Sequence, residues 1–263
     1  MTTSAVKKGF EVVCREVVFS PPGQPELKIL NGADLHVKQG EFLAIVGANG
    51  TGKSTLLSAI AGEIELTSGS IAVSGQNIVE PIHCHIDGVG IVHQHDDDDL
   101  LHAFSIAMNV AFRQANNGCH PNKFWACGKK YRSSLAKKLA ERATTLNTDV
   151  NKLVGHLSGG GRQMLNLVIA IHLEHEQNPC RLILLDEHTS KLDHENSSKV
   201  MEFTNTQIKQ AETTAIMVTH RYTDAIKYCD RIVVMGRGKV KNEFKDPRSV
   251  TIEQLEHAVE EAS

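Results

Sequence analysis

Apolar runs of strand length recur along this sequence of 263 residues and are separated by segments with helical spacing. The run at 42–46 is continuously apolar, and a second one, at 182–185, is followed by two acids. Such runs are typical of strands buried on both faces of a parallel sheet. Strands are predicted at 11–19, 32–38, 42–46, 69–79, 88–93, 181–185, 215–218 and 231–235.

Helical spacing of apolar residues follows several of these strands. Residues 54–61 carry it directly after the first buried run and lose it at Gly62. Helices are also predicted within the basic segment 104–153, at 163–173 and near 251–261. Strands that alternate with helices indicate an α/β fold with a mostly parallel sheet covered on both faces. No internal repeat is visible, so a single domain of this kind is expected.

Composition narrows the class of protein without identifying it. Hydrophobic residues make up 41% and charged residues 22%, which is ordinary for a globular protein. The net charge of −3 gives no overall attraction to nucleic acid or anionic lipid. No apolar run approaches the ~20 residues that span a bilayer, and the start lacks the apolar stretch of a secretion signal. Six cysteines without paired spacing suit reduced thiols, so any work at a membrane is expected from the cytoplasmic side through a separate chain.

A glycine-rich loop, GANGTGKS from Gly47 to Ser54, lies between the first buried strand and the next helix and fits the phosphate-loop pattern. Its glycines let backbone N–H groups point at phosphate oxygens, at the positive end of the helix. Lys53 would bridge the β- and γ-phosphates of ATP, and the Ser54 hydroxyl would ligate Mg²⁺. Its position disfavours a plain glycine turn with a surface lysine. The predicted phosphate-binding residues are Gly47, Asn49, Gly50, Gly52, Lys53, Ser54 and Thr55.

Two acids end the apolar strand at 181–185. A carboxylate at the position of Asp186 is costly to bury without a partner, and Mg²⁺, bound directly or through water, would supply one. Glu187 is then placed to orient and deprotonate an attacking water. The alternative is a solvated acidic turn at a strand end, and the phosphate loop upstream favours the catalytic interpretation.

The run from Leu157 to Gln163, LSGGGRQ, precedes a predicted helix and forms a second candidate anion cradle. Alone it would be read as a helix N-cap. Placed between the phosphate loop and the acidic strand, it gives the chain its resemblance to the ATP-binding-cassette (ABC) family over about residues 10–240. The resemblance implies ATP hydrolysis between two copies of the domain, with Ser158, Gly159 and Gly160 of one copy capping the γ-phosphate held by the other. Gly161 stands where the family usually has glutamine.

The same resemblance assigns roles to single residues. Gln94 matches the glutamine that contacts Mg²⁺ or the water and senses the transmembrane partner, and His220 matches the histidine that contacts the γ-phosphate. Phe19 is the candidate for stacking on adenine, with core packing as the competing interpretation. The segment from His188 to Asp193 resembles the loop at the dimer seam. Most members have proline where His188 stands, and histidine there is similar to a subset of bacterial importer ATPases.

The family implies a phosphate-loop NTPase fold with a RecA-like core, an antiparallel β-subdomain and an inserted helical subdomain. The cassette would span 10–243, with its core at about 10–97 and 162–243 and the helical subdomain at about 98–161. Residues 244–263 would form a tail with a short helix.

The implied ligands are ATP and Mg²⁺. The implied protein partners are a second cassette, most simply an identical one, and integral membrane permease subunits, together with a solute-binding protein for an importer. The expected function is ATP hydrolysis coupled to transport of a small solute, at the cytoplasmic face of the membrane. The alternative is a soluble ATPase of the same family that remodels a macromolecular complex. A non-hydrolysing module is disfavoured by the presence of Glu187 and His220, and a kinase or GTPase by the Ser-Gly-Gly loop.

Three polar clusters receive less specific interpretations. The histidines and cysteine at 83–85, with His93 and His95, are read as part of histidine-rich strands and loops rather than as metal ligands, since no four-ligand spacing is visible. Asp96–Asp99 is read as a solvated loop, or as a contact for a basic helix of the permease. The basic stretch 123–142 is read as a solvated helix face, and no nucleic-acid partner is expected.

Overall fold

The computed structural model describes residues 9–78, 86–94, 99–116, 128–142, 149–173 and 179–263. Its strands are β1 (Val12–Phe19), β2 (Leu30–Val37), β3 (Phe42–Val46), β4 (Ser68–Val73), β5 (Gln76–Ile78), β6 (Val89–Val92), β7 (Leu182–Asp186), β8 (Thr214–Val218), β9 (Arg231–Gly236) and β10 (Lys239–Phe244). Its α-helices are α1 (Lys53–Ala61), α2 (Ile106–Asn116), α3 (Lys129–Arg142), α4 (Gly159–Val168), α5 (His194–Ala211), α6 (Tyr222–Tyr228) and α7 (Ile252–Ala262).

The chain divides into two compact units, which we describe separately. Unit 1 comprises Met1–Ile86, Leu184–Glu187 and Glu212–Ser263, and unit 2 comprises Asp87–Ile183 and His188–Ala211. Among the described residues, none of the helices combines the length and apolar character needed to cross a membrane.

Unit 1 contains an antiparallel sheet in the order β2-β1-β4-β5. The single strand predicted at 69–79 is wrong, because the chain turns back at Ser74 and Gly75, which both have positive φ, 51° and 80°. A two-residue turn with both central residues in the left-handed region matches the twist of a hairpin. Val73 therefore pairs with Gln76 across the turn.

The second sheet of unit 1 places β10, β9, β3, β8 and the carboxyl half of β7 side by side. β3 pairs in parallel with β8 and with β9, and all five of its residues are buried, as the unbroken apolar run predicts. Because parallel strands end at one edge, the segments after β3, β7 and β8 leave the sheet together. That edge carries the candidate site.

β10 was not predicted, and its composition explains why. Its residues alternate between exposed and half-buried, and most of them are polar. It pairs antiparallel with β9 through the turn at Arg237 and Gly238, as an edge strand with one solvated face. An edge strand of this kind has no continuous apolar run by which it can be recognised.

Unit 2 is built around helices and includes β6 and the first half of β7. Its core is formed by apolar residues of α2, α3 and α4 and of the loops beside them: Leu100, Ile106, Ala107, Val110, Leu135, Leu139, Val150, Val154, Leu165, Val168, Ile169 and Leu173. In α3, Leu135 and Leu139 face this core, while Lys137 and Lys138 are exposed. The described part of the basic stretch therefore presents a solvated face, as predicted.

Two helices of unit 2 differ from the sequence prediction. The helix expected at 163–173 begins earlier, at Gly159, because the Ser158 hydroxyl accepts a hydrogen bond from the Gly161 amide and caps it. It continues as a π-helical segment at Ile169–Leu173. α5 was not predicted at all: its 18 residues are mostly polar, and its buried face combines Val200, Met201 and Ile208 with the polar residues Ser197, Thr204 and Gln207.

Candidate nucleotide-binding site

The phosphate loop of unit 1 has a backbone that only glycine adopts without strain. Gly47, Gly50 and Gly52 have φ values of 152°, 78° and 94°. A Cβ on Gly47 would lie 2.4 Å from the carbonyl oxygen of Met235, and one on Gly52 would lie 2.8 Å from that of Ile29. Gly47 and Gly52 are therefore required by space as well as by conformation, whereas Gly50 lies at an open tip.

The Lys53 side chain folds back into this loop. Its Nζ donates hydrogen bonds to the carbonyl oxygens of Gly47, at 3.0 Å, and Ala48, at 2.8 Å. Burial lowers the pKa of Lys53, and the nearby carboxylates of Glu187 and Asp186 oppose that shift. The loop is thus a concave backbone with a cation at its base, which suits a polyphosphate.

The other loop residues of the predicted set lie where a ligand can reach them. Asn49 and Gly50 are exposed at the tip of the loop, and Thr55 is half-buried in the first turn of α1. The Thr51 hydroxyl donates to the Ala48 carbonyl at 2.9 Å, which closes the loop on itself. These contacts hold the loop in its curled shape.

Ser54 and Asp186 meet although they lie 132 positions apart in the sequence. The Ser54 hydroxyl donates to Oδ1 of Asp186 at 3.0 Å. A hydroxyl and a carboxylate oxygen are hard ligands of the kind Mg²⁺ takes, usually together with phosphate oxygens and water. Within the described ranges there is no cluster of three or more His, Cys, Asp or Glu side chains that could hold a metal. The donor chemistry of the Ser54–Asp186 pair fits a metal held jointly with a nucleotide.

Glu187 and His220 form the second pair at this edge. Nε2 of His220 lies 2.8 Å from Oε1 of Glu187, whose side chain is 15% exposed. Glu187 has a φ of 44°, and its backbone N–H donates to the Val218 carbonyl of β8 at 3.0 Å. A non-glycine residue held in the left-handed region is a form of strain that is common at functional sites. The geometry can hold a carboxylate base with an imidazole beside it.

Phe19 lies at the end of β1 with a half-buried ring. It lines a cavity of about 470 Å³ together with Ser20, Pro22 and the segment 63–67. No residue of the phosphate loop is in that lining, so the stacking role of Phe19 stays a prediction.

Unit 2 holds the remaining predicted residues. Ser158 is the exposed N-cap of α4, and Gly160 is buried against α5, where a Cβ would lie 3.7 Å from Asn196. Gly159 is half-buried between them. Gln94 follows β6 by two residues and is half-buried. These positions leave their predicted roles as predictions.

His188 has a structural role that the sequence did not reveal. It is 2% exposed, and its Nε2 lies 3.2 Å from the Thr204 hydroxyl of α5. Thr204 donates its own proton to the Val200 carbonyl, so Nε2 of His188 must be the donor. Burial lowers the pKa of His188 to about 4, and the ring is therefore neutral at pH 7. His188 anchors the segment after Glu187 to α5.

Asp99 corrects the interpretation of the acidic run as a solvated loop. Its side chain is 2% exposed and lies 3.1 Å from Nη1 of Arg113 and 2.7 Å from the ring of His93. The sequence signal for a buried Asp99 was Arg113, which lies in the otherwise apolar stretch of α2. A buried cation needs an anion as its partner. Positions 96–98, His95 and the cluster at 83–85 lie outside the described residues.

Gly47→Ala is expected to weaken ATP binding by about tenfold or more, because forcing a Cβ into this backbone costs on the order of 1–3 kcal/mol of strain. The contact with the Met235 carbonyl adds a clash that only movement of the loop relieves. Binding of a fluorescent ATP analogue would measure the effect. Gly23→Ala is the matched control, since Gly23 also has a positive φ, 80°, but has open space around it. Equal affinities of the two variants would contradict the prediction.

A phosphate cradle, a Ser–Asp pair and a Glu–His pair on an α/β sheet define a P-loop nucleotide hydrolase. The sequence pattern of the family described as ABC transporter matches residues 30–190. The chain belongs to this family, as an ATP-binding subunit and an ATPase. ATPases of this family dimerise and work with membrane permease subunits.

Similar proteins agree with this assignment. The chain is 31% identical over 241 residues to a tyrosine transport ATP-binding protein of Clostridioides difficile (strain R20291), covering 90% of this chain and 92% of that protein. It is 32% identical to the energy-coupling factor transporter ATP-binding protein EcfA1 of Bacillus subtilis (strain 168), covering 85% and 74%. The solved structure of cbiO1 from Clostridium perfringens, part of the ABC transporter complex cbiONQ, matches with a TM-score of 0.70 at 26% identity, covering 94% and 93%.

Proposed function

We propose that this chain hydrolyses ATP at the cytoplasmic face of a membrane to drive import of a small solute through a separate permease. The observation that carries the catalytic part is the convergence at one sheet edge of Lys53, Ser54, Asp186, Glu187 and His220. Three strands and one loop deliver these groups, which no single stretch of sequence could do.

Each residue of this edge receives a role. Lys53 and the loop amides bind the phosphates. Ser54 and Asp186 would hold Mg²⁺, which would supply positive charge at the phosphate oxygens. Glu187 takes the proton of the attacking water, and His220, at 2.8 Å, orients the carboxylate and reaches the γ-phosphate. Gln94 contacts the metal or the water, and Phe19 stacks on adenine.

We further propose that the site is completed by a second copy of the chain. Ser158, Gly159 and Gly160 lie at the N-terminus of α4, where free amides and the helix dipole favour an anion. The γ-phosphate bound by the other cassette is the anion they suit. The helical subdomain that we propose for this cassette, about 98–161, lies within unit 2, which begins at Asp87 and extends further along the chain.

Import of a small solute is supported by the names of relatives and by His188. The relatives include a methionine import ATP-binding protein and the tyrosine transport protein. His188 stands in this chain where most family members have proline. A solute-binding protein would accompany an importer. The soluble remodelling ATPase is not favoured, since the named relatives serve transport.

The proposal is tested by purifying the tagged chain from mildly solubilised membranes of its source. A polytopic membrane protein that stays bound, with a stoichiometry that depends on ATP, is the expected result. Recovery only in the soluble fraction, bound to a ribosome or another large assembly, would contradict transport. The ATPase assignment would stand in either case.

Gly160→Asp is expected to reduce turnover by about tenfold or more, because a carboxylate in the cradle repels the γ-phosphate of the partner's ATP. Gly23→Asp, at an exposed turn with open space around it, is the matched control. Turnover is measured by phosphate release. Wild-type turnover of Gly160→Asp would contradict a shared site.

A mixing experiment separates a shared site from simple damage to the fold. Gly160→Asp retains an intact phosphate loop, and Lys53→Met retains an intact Ser158 loop. In mixed dimers one site is whole, so random mixing restores up to about a quarter of the wild-type sites. No activity above that of the separate variants would contradict the shared-site arrangement.

A further inference from the structure

Asp99 joins three segments of unit 2 through one buried carboxylate. It lies seven residues before the start of α2 at Ile106, and its side chain is 2% exposed. The segments that donate to it are the end of β6, the helix α2 and the helix α4. Two of these segments carry a residue to which we assign a role in ATP turnover. Gln94 follows β6, and Ser158 lies at the start of α4.

The end of β6 is held twice. The backbone N–H of His93 donates to Oδ2 of Asp99 at 2.8 Å, and Nδ1 of the same residue lies 2.7 Å from Oδ1. His93 directly precedes Gln94 in the chain. A residue held at both its backbone and its side chain has little freedom to move, and it fixes where the next residue leaves the strand.

The two helices complete the network. From α4, Nδ2 of Asn166 donates to Oδ2 of Asp99 at 2.6 Å. From α2, Nη1 of Arg113 donates to Oδ1 at 3.1 Å, and its Nη2 donates to the Ile91 carbonyl of β6 at 3.3 Å. The carboxylate thus accepts hydrogen bonds from all three segments.

The network holds the carboxylate in its charged form. Burial raises the pKa of Asp99, but the hydrogen bonds from His93 and Asn166 and the charge of Arg113 outweigh it, so that the pKa lies below its ordinary value. A buried anion bound this way fixes its donors strongly, since each bond is charge-assisted. An amide in its place would offer one acceptor oxygen where the carboxylate offers two.

We infer that Asp99 is a positioning residue that holds Gln94 in register with the helix that begins at Ser158. This inference rests on the roles proposed for those two residues. Asn166 lies eight positions after Ser158, roughly 12 Å along the helix, so a shift of α4 on contact with ATP reaches the Asp99 carboxylate within one rigid element. Through its hydrogen bonds to His93, the carboxylate transmits this shift to the end of β6 and so to Gln94.

The test is a double-mutant cycle of Asp99→Asn and Gln94→Ala in the full chain. Asp99→Asn is expected to lower kcat by about tenfold or more with little change in the KM for ATP, since misplacing a catalytic group by ~1 Å can cost 10²-fold. The double variant is expected to turn over within about twofold of Gln94→Ala alone, because Asp99 then has nothing left to position.

Asn109→Ala is the matched control for lost stability. Asn109 is buried in α2 and bonds to the Leu101 N–H and to the carbonyls of Leu101 and Ser105, but it does not contact the end of β6. It is expected to lower the melting temperature as Asp99→Asn does while keeping the wild-type kcat.

Three results would overturn the inference. If the fold-losses in kcat of the two single variants multiply in the double variant, Asp99 acts independently of Gln94. A kcat for Asn109→Ala as low as that of Asp99→Asn, at equal melting temperature, would show that lost stability explains the effect. The third result, wild-type turnover of Gln94→Ala, would remove the role proposed for Gln94 and the inference with it, and it would leave the site at the sheet edge intact.

Discussion

Glu187→Gln is expected to lower ATP turnover by about 10²–10⁴-fold, the contribution of a positioned general base. Glutamine keeps the size and most hydrogen bonds of glutamate but cannot take a proton from water. The backbone of Glu187 is fixed by its bond to the Val218 carbonyl, so the variant side chain should stay beside His220. ATP binding through the phosphate loop is expected to be unchanged.

In the proposed shared site, the same variant should accumulate as an ATP-bound dimer, because ATP that is not hydrolysed stays bound between the two copies. Size-exclusion chromatography with and without ATP measures this, and phosphate release measures turnover. Glu212→Gln is the matched control: it makes the same chemical change at an exposed glutamate that also has a positive φ, 52°. Full turnover of Glu187→Gln would remove Glu187 as the base.

The buried strands of the fold were predictable, because burial on both faces leaves an unbroken apolar run. β3 and β7 are of this kind. β10 and α5 were not predictable in the same way, since each buries only part of its surface and is otherwise polar. The hairpin at Ser74 and Gly75 was missed although a Ser-Gly dipeptide is a turn signal, because β5 has only three residues and was merged with β4.

The candidate site was predictable as a set of residues and not as a geometry. The order of the motifs named Lys53, Asp186, Glu187 and His220, but nothing in the sequence says that the Ser54 hydroxyl lies 3.0 Å from Asp186. That contact depends on two strands that lie far apart in the chain and end at one edge. Because the two strands are distant in the sequence, the contact cannot be predicted from local pattern.

The roles of Asp99 and His188 were harder to predict, since both belong to polar segments that look solvated. Each is buried because partners from other elements satisfy it, Arg113 and Asn166 for Asp99 and Thr204 for His188. A polar residue's burial is decided by donors and acceptors distant in the sequence. The local sequence pattern therefore does not indicate these donors and acceptors.

Lys53→Met is expected to weaken ATP binding by about 10- to 100-fold, because charge-assisted hydrogen bonds contribute roughly 1.5–3 kcal/mol. Methionine has nearly the length of lysine and fits an apolar environment, but it cannot donate to a phosphate. Isothermal titration with ATP measures the affinity. Lys38→Met, at an exposed lysine of the same unit, is the control and is expected to bind ATP as wild type does.

Lys53→Met is expected to keep or raise the stability of the fold while it weakens ATP binding. This difference separates an effect on function from an effect on folding. Lys53 is 5% exposed, and the lowering of its pKa by burial means that the fold disfavours its charge. A neutral side chain removes that cost, so the nucleotide-free variant is expected to melt at the wild-type temperature or above it. A lower melting temperature together with weak binding would show that the two bonds to the Gly47 and Ala48 carbonyls hold the loop together. The lysine would then be needed for the shape of the site as well as for its charge.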